Sequence, residues 1–197
     1  MAEEERRHVD AAVRGDVESF NMLVRAHESR VYGVCVRLVG DRDDAADVAQ
    51  DTFISAFSRL STYRGGSFRA WLLRIATNAA LDFLRARRRR PTVSIDAHDD
   101  DPDDHPVLQV ADATPTPEMA LDQRELAQAI QRALAQLPDD QRTAIVLRDV
   151  EGFDYAEVAE ITRASLGTVK SRISRGRARL RDILTADGTV RTALSSE

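Results

Sequence analysis

Between Pro91 and Met119 the chain reads PTVSIDAHDDDPDDHPVLQVADATPTPEM, with five prolines, eight acidic residues and no basic one. Such a stretch repels itself and lacks the apolar content needed to repay the entropy of ordering. It is expected to be a flexible acidic linker over 91–119, and it divides the chain into an amino-terminal part, 8–90, and a carboxy-terminal part, 120–185. At 197 residues, the two parts are each long enough for one small core. The division also changes the meaning of the formal charge of −5. Residues 1–90 carry 16 basic and 13 acidic side chains, and 120–197 carry 12 of each, so the acidic excess lies in the connector. Local fields, not the sum, decide whether a polyanion can bind.

Both flanking parts have helical apolar spacing. Val9, Val13, Phe20, Leu23 and Val24 form one stripe, and Val31, Val34, Cys35, Leu38 and Val39 a second. Val48, Thr52, Phe53, Ala56, Phe57 and Leu60 form a third, and Phe68, Trp71, Leu72, Ile75 and Ala79 a fourth. Gly15-Asp16, Gly40-Asp41 and Gly65-Gly66 break the pattern, and Ser67 is placed to cap the fourth helix. After the connector, Leu121, Leu126, Ile130, Leu134 and Leu137 continue the spacing. Pro138-Asp139 starts another helix and Gly152 ends it. Asp154 and Glu157 stand in capping-box relation, and Ser165 can open a last helix reaching about Leu184. The expected fold is all-α: two small helical domains, the second containing a helix-turn-helix.

The last helix is two-faced. Val169, Ile173, Gly176 and Leu180 share a buried seam. Ser171, Ser174 and Arg175 point away from it, with Thr168 nearby and Lys170 and Arg172 on the flanks. Arg163 to Arg181 contains seven basic residues and no acid. Such a face suits phosphates and guanine edges in a major groove, although a merely solvated charged surface has the same composition. Arg85-Ala86-Arg87-Arg88-Arg89-Arg90 closes the fourth helix and exceeds what the helix dipole needs. With Arg74 it is expected to form a phosphate-binding stripe, although cations at a helix C-terminus also serve a purely structural role. Tyr63 beside the Gly-Gly loop can stack on an unpaired base, and the Asn78 amide can meet a base edge. The face bearing Asp43, Asp44, Asp47 and Asp51, expected opposite this stripe, suits a protein partner rather than DNA.

Catalysis and metal binding find no support in the motifs. Four scattered histidines have no ligand spacing, no nucleophile has a supporting base, and Gly65-Gly66 lacks a phosphate-loop lysine. The DAHDDDPDD run lacks the central glycine and flanking helices of a calcium loop. No cofactor or metal is expected, and the chain is not expected to be an enzyme. A single cysteine, Cys35, with no signal peptide and no bilayer-length apolar run, points to a soluble cytoplasmic protein without membrane insertion.

Four segments carry a family resemblance: DDAADVAQDTFISAF (43–57), FRAWLLRIATNAALDFLRARRRR (68–90), LAQLPDDQRTAIVLRDVEGFDYAEVAE (134–160) and LGTVKSRISRGRARL (166–180). In this order they resemble the extracytoplasmic function, or group 4, branch of the bacterial sigma-70-type sigma factors. The resemblance implies a subunit that directs RNA polymerase to promoters and helps to open them. Its region 2-like domain is implied to bind the polymerase clamp through Asp44, Asp47, Gln50, Asp51 and Phe53. Tyr63, Arg74, Asn78, Arg85, Arg87, Arg88, Arg89 and Arg90 are implied to engage the minus-ten element, including its non-template single strand. The region 4-like domain is implied to bind the flap and to read minus-thirty-five duplex through Thr168, Lys170, Ser171, Arg172, Ser174 and Arg175. The connector is implied to thread toward the RNA exit path with its acids mimicking RNA. An anti-sigma factor and association with the nucleoid through polymerase are implied as well.

One departure stands out: Thr162-Arg163-Ala164-Ser165 replaces the family's hydrophobic-Gly-hydrophobic-Pro turn. A residue other than glycine at positive φ costs on the order of 1 kcal/mol, which bears on how the last helix docks. The alternative reading is a stand-alone helix-turn-helix regulator, which would bind DNA tightly without polymerase, usually as a symmetric dimer.

Overall fold

The computed structural model describes residues 2–89 and 117–186. Arg90 and positions 91–116 of the connector lie outside the described residues. Within them, all regular structure is helical. The amino-terminal unit contains α1 (Ala2–Val13), α2 (Val17–Val39), α3 (Arg42–Ser58), a 3₁₀ turn at Leu60–Thr62 and α4 (Phe68–Arg89). The carboxy-terminal unit contains α5 (Pro117–Ala135), α6 (Asp139–Ile145), α7 (Tyr155–Thr162) and α8 (Leu166–Ala186).

Local chemistry sets the boundaries. The Asp16 side chain accepts from Glu18 N–H at the start of α2, and Gly40 ends that helix at φ 93°. Asp41 caps α3 through Asp44 N–H, and Ser67 accepts from Ala70 N–H at 3.2 Å to open α4. The Asp154–Glu157 capping box is complete, with Asp154 accepting from two amides and Glu157 reaching back to the Asp154 N–H. The first two apolar stripes fall on α1 and a single long α2, with the break at Gly15-Asp16 between these helices.

In the amino-terminal unit α2 is central, packed on α1, α3 and α4, while α6 and α8 cross in the other unit. Val31, Val34, Cys35 and Leu38 meet Leu72, Leu73 and Ala76 in a core that continues through Leu134, Val146, Val158, Val169 and Ile173. Burying each such valine or leucine contributes roughly 1.5–3 kcal/mol. Three stripe positions depart from the expected burial: Val13, Phe57 and Leu126 are exposed. Phe57 keeps a tilted contact with Phe20 at 5.0 Å between ring centroids. Helical spacing names a face, but its rim stays wet where no neighbour covers it.

Gly176 is buried where α8 crosses α6. A Cβ there would lie 2.9 Å from Ile145 Cγ1, so the glycine permits the close approach. The turn before α8 has the strain anticipated from the sequence, because Arg163 adopts φ 51°, ψ 43°. It is exposed, so its side chain offers little packing in compensation. Arg163→Gly is expected to stabilise the chain by about 1 kcal/mol, read as a higher urea midpoint with an unchanged slope. A lower midpoint would show that the guanidinium matters more than the backbone strain.

Beyond Ile145 the helix widens. Val146–Val150 forms a π turn in which Glu151 N–H donates to Val146 C=O at 3.0 Å, followed by Gly152 at φ 77°. Nothing in the local apolar pattern anticipates this turn. Its effect is to carry Glu151 and Phe153 inward, where both are buried.

Candidate functional site

The α3 face presents Asp47, Gln50 and Asp51 to solvent, while Phe53 is half-buried and packed against the core. Asp47 and Asp51 are one helical turn apart and therefore neighbours. Asp44 differs from them. It is half-buried and accepts from Arg87 Nη1 at 3.2 Å, and desolvation with the adjacent Asp41 raises its carboxyl despite that arginine. This pair corrects the expectation that the acidic face lies opposite the arginine stripe. The start of α3 and the end of α4 meet side by side, because both helices pack against α2.

Tyr63 is fixed by its surroundings. Its hydroxyl donates to Gly66 C=O at 2.7 Å, and its ring meets Phe68 and Trp71 edge-on at 5.8 and 5.6 Å. Gly65 and Gly66 both have φ near 90°, a geometry that allows the loop to fold back under the hydroxyl. Asn78 is half-buried on α4. Of the stripe, Arg85 pairs with Asp82 at 2.7 Å and Arg89 donates to Arg85 C=O at 3.3 Å. Arg74 and Arg88 instead reach the other unit, Arg74 to Glu160 and Arg88 to Asp139 at 2.8 Å.

On α8, Val169, Ile173 and Gly176 are buried as the wheel requires, while Ser174 and Arg175, which point away from that seam, and Lys170 on its flank are exposed. Ser165 caps the helix through Thr168 N–H at 3.1 Å and shares a 2.8 Å hydroxyl contact with Thr168. Arg175 lies back along the helix, its Nη2 donating to Ser171 Oγ at 3.1 Å. Arg172 turns aside to Asp140 at 2.9 Å, and Arg177 pairs with Asp149. The outward face is therefore narrower than the count of basic residues implies. Lys170, Ser174 and Arg175 are its solvent-facing members, with half-buried Ser171 supporting Arg175.

The contacts between the units were invisible to the motif reading. Gln131 Nε2 and Arg142 Nη1 each donate at 2.8 Å into the last turn of α2, to Val36 and Leu38 C=O. Arg142 is itself buried and bridges to Asp139 at 2.7 Å, and desolvation lowers its pKa. Arg69 donates to Glu151 C=O at 2.8 Å and sits 5.2 Å from the Phe153 ring centroid. Arg30 Nε lies 4.0 Å from the Glu151 carboxylate. Burial pushes Glu151 above the usual carboxylate range even though Arg30, Arg69 and Arg37 oppose that shift. Among the described residues no group of acids, histidines and cysteines can hold a metal ion, and no helix is long and apolar enough to cross a membrane.

Residues 23–90 match the family model described as sigma-70 region 2, and residues 127–180 match sigma-70, region 4. The chain is 38% identical over 179 residues to the RNA polymerase sigma-H factor of Pseudomonas aeruginosa, covering 89% of this chain and 91% of that one. It is 37% identical over 170 residues to the ECF RNA polymerase sigma-E factor of Escherichia coli, covering 86% and 88%. Its fold resembles the sigma factor RpoE of Bartonella quintana, solved in complex with the anti-sigma factor NepR. The TM-score is 0.65 at 28% identity, over 87% of this chain and 99% of that one. A second solved relative is CnrH in complex with the cytosolic domain of CnrY, with a TM-score of 0.63 at 26% identity over 93% and 99%.

Proposed function

Because this chain belongs to the extracytoplasmic function group of sigma-70 family sigma factors, non-catalytic subunits for transcription initiation, we propose that its two units divide promoter recognition and polymerase docking between them. In this reading, Asp47, Gln50 and Asp51 on α3 meet a basic surface of the polymerase clamp, with Phe53 anchoring the helix beneath them and Asp44 steadied by Arg87. The α5–α8 unit binds the flap and places α8 in minus-thirty-five duplex. There Lys170 and Arg175 donate to base edges, Ser174 and Ser171 offer hydroxyls, and Thr168 sits at the helix start. Arg172 acts mainly in holding α8 to α6 through Asp140.

The minus-ten assignment follows the same physical logic. Opening a duplex costs unstacking energy, which captured unpaired bases and phosphate contacts offset. The Tyr63 ring, held by Phe68, Trp71 and Gly66, provides a rigid aromatic surface beside the Gly-Gly loop, and Asn78 supplies an amide on α4. Arg74, Arg85, Arg87, Arg88, Arg89 and Arg90 supply cations for the backbone. The acidic connector, 91–119, keeps the 8–90 and 120–185 units tethered and is repelled by DNA, which suits a path through the polymerase toward the RNA exit. An anti-sigma factor is the expected inhibitor, by likeness to the RpoE relative solved in complex with the anti-sigma factor NepR, and nucleoid association follows polymerase binding.

The observation that supports this reading most directly is an exposed acidic α3 combined, in one chain, with a capped helix pair presenting Lys170, Ser174 and Arg175. The test is transcription from a genomic fragment pool by purified core polymerase with and without the chain. New start sites sharing an upstream and a start-proximal element are expected. Tight operator binding by the chain alone, with no polymerase-dependent start sites, would instead establish the stand-alone regulator.

A further inference from the structure

Helix α1 lies ahead of the residues that match the region 2 model, which begin at Leu23, yet it is built into the fold. Val9 and Ala12 are buried, and α1 packs on α2 and on the 3₁₀ turn at Leu60–Thr62 that leads into the Gly65-Gly66 loop. Glu5 continues the face of Val9 and Ala12 one turn toward the helix start. Its carboxylate accepts from His27 Nε2 of α2 at 2.7 Å, and only 12% of the His27 side chain is exposed. The His27 ring lies 5.6 Å from that of Phe68, centroid to centroid, and Phe68 lies 5.8 Å from Tyr63 and 5.5 Å from Trp71. Glu5, His27, Phe68 and Tyr63 therefore form one continuous line of contacts from α1 to the aromatic ring beside the loop. The Tyr63 hydroxyl reflects this proximity: burial raises its pKa, and the charges of Glu5 and Asp10, both on α1, raise it further.

Electrostatics alone would not put these acids near a tyrosine that faces DNA. A carboxylate there repels phosphate, so Glu5 works against the arginines of α4. What it supplies is geometric. A charge-assisted hydrogen bond fixes the largely enclosed imidazole, and a fixed His27 seats Phe68 and, through it, Tyr63. A ring already held in place loses less freedom when an unpaired base stacks on it. We propose that Glu5 and His27 are positioning residues for promoter opening: α1, through the Glu5–His27 hydrogen bond and Phe68, holds the Tyr63 ring in the attitude that stacks on an unpaired non-template base. The proposal rests on the reading of Tyr63 as a base-stacking residue. Glu5 and His27 act only through Phe68 and Tyr63.

The test uses holoenzyme assembled from core polymerase and the full chain, with fluorescein-labelled fork-junction DNA taken from a promoter mapped with the parent. Forks carrying single abasic sites at successive non-template positions locate the captured base as the position that costs the parent most affinity. Tyr63→Ala is expected to bind the intact fork at least about tenfold more weakly, and Glu5→Ala and His27→Phe about threefold, as one base–aromatic stack is lost or loosened. On the fork lacking the captured base these penalties are expected to vanish. His27→Phe keeps a ring against Phe68 and removes only the link to Glu5, so the double variant is expected to cost no more than either single one. Glu4→Ala, exposed on the same helix, controls for the lost negative charge, and Glu5→Gln, which keeps an acceptor for Nε2–H, is expected to match it. Alanine favours the helix at position 5, and helix content by circular dichroism checks the fold.

Trp71, the single tryptophan, reports the same cluster in the free chain, because its ring meets Tyr63 at 5.6 Å and Phe68 at 5.5 Å. Its emission is expected to move to longer wavelength in Glu5→Ala and His27→Phe and to stay in place in Glu5→Gln and Glu4→Ala. Unmoved emission in the first two variants would overturn the proposal. Equal losses on intact and abasic forks would overturn it as well, since they mark a general weakening, and so would Glu5→Ala binding as the Glu4→Ala control does. Tyr63→Ala holding the intact fork as tightly as the parent strikes the base-stacking reading instead, and the Trp71 shift then decides by itself whether α1 holds the ring.

Discussion

Replacing Lys170 and Arg175 together with alanine is expected to lower initiation at promoters with a matched upstream element by about 100-fold, while promoters with that element scrambled change little. Each base-directed contact of this kind is worth about 1–3 kcal/mol, and two at about 1.4 kcal/mol each multiply to that factor. Both side chains are exposed and outside the Val169 and Ile173 seam of α8, so their removal leaves the packing against α6 intact. Arg172→Ala is the informative contrast. Its guanidinium holds Asp140 across the α6–α8 crossing, so its loss is expected to loosen the helix and weaken all promoters alike. The measurement is transcription from a library randomised in the upstream element, alongside polymerase binding. Unchanged selectivity in the double variant would remove Lys170 and Arg175 from base reading.

What could be read from the residues divides by distance along the chain. Caps at Asp16, Ser67, Asp154 and Ser165 are local events, a side-chain oxygen reaching an amide two or three residues away, and their signatures are equally local. The α8 seam was legible for a related reason, since Val169, Ile173 and Gly176 repeat at helical spacing. The strained turn was legible too, because the Arg163 backbone adopts the left-handed geometry that the missing glycine would have served. The contacts between units have no such signature. Arg69 meets Glu151 across 82 positions and Arg142 meets Leu38 across 104, and nothing near either partner in sequence announces the other. The π turn is equally hidden, because Ala144 to Leu147 is apolar at every position and the pattern cannot report where the winding changes. Arginines assigned from composition alone therefore looked equivalent. Their partners separate Arg85, which pairs within α4, from Arg87, which reaches Asp44 of α3, and from Arg74 and Arg88, which reach carboxylates of the other unit.

The second large effect is expected on the acidic face. Asp47→Arg with Asp51→Arg should reduce affinity for core polymerase by at least about 100-fold, since like charges brought together across an interface cost several kcal/mol. The fold should tolerate the change. Both positions are exposed, neither carboxylate has an ion-pair partner within the chain among the described residues, and the pair repels itself across one turn of α3 before and after reversal. Asp44→Arg would be a poorer test, because it also breaks the Arg87 contact and disturbs the end of α4. Helix content and thermal midpoint serve as controls, and polymerase affinity is measured by anisotropy of the labelled chain across salt concentrations. Reversing two charges also raises the chain's general attraction to DNA. The sigma-type reading therefore predicts opposite signs for the two partners: polymerase binding collapses while non-specific DNA binding rises. A drop in both would indicate unfolding, and unchanged polymerase affinity would show that α3 is not the docking face.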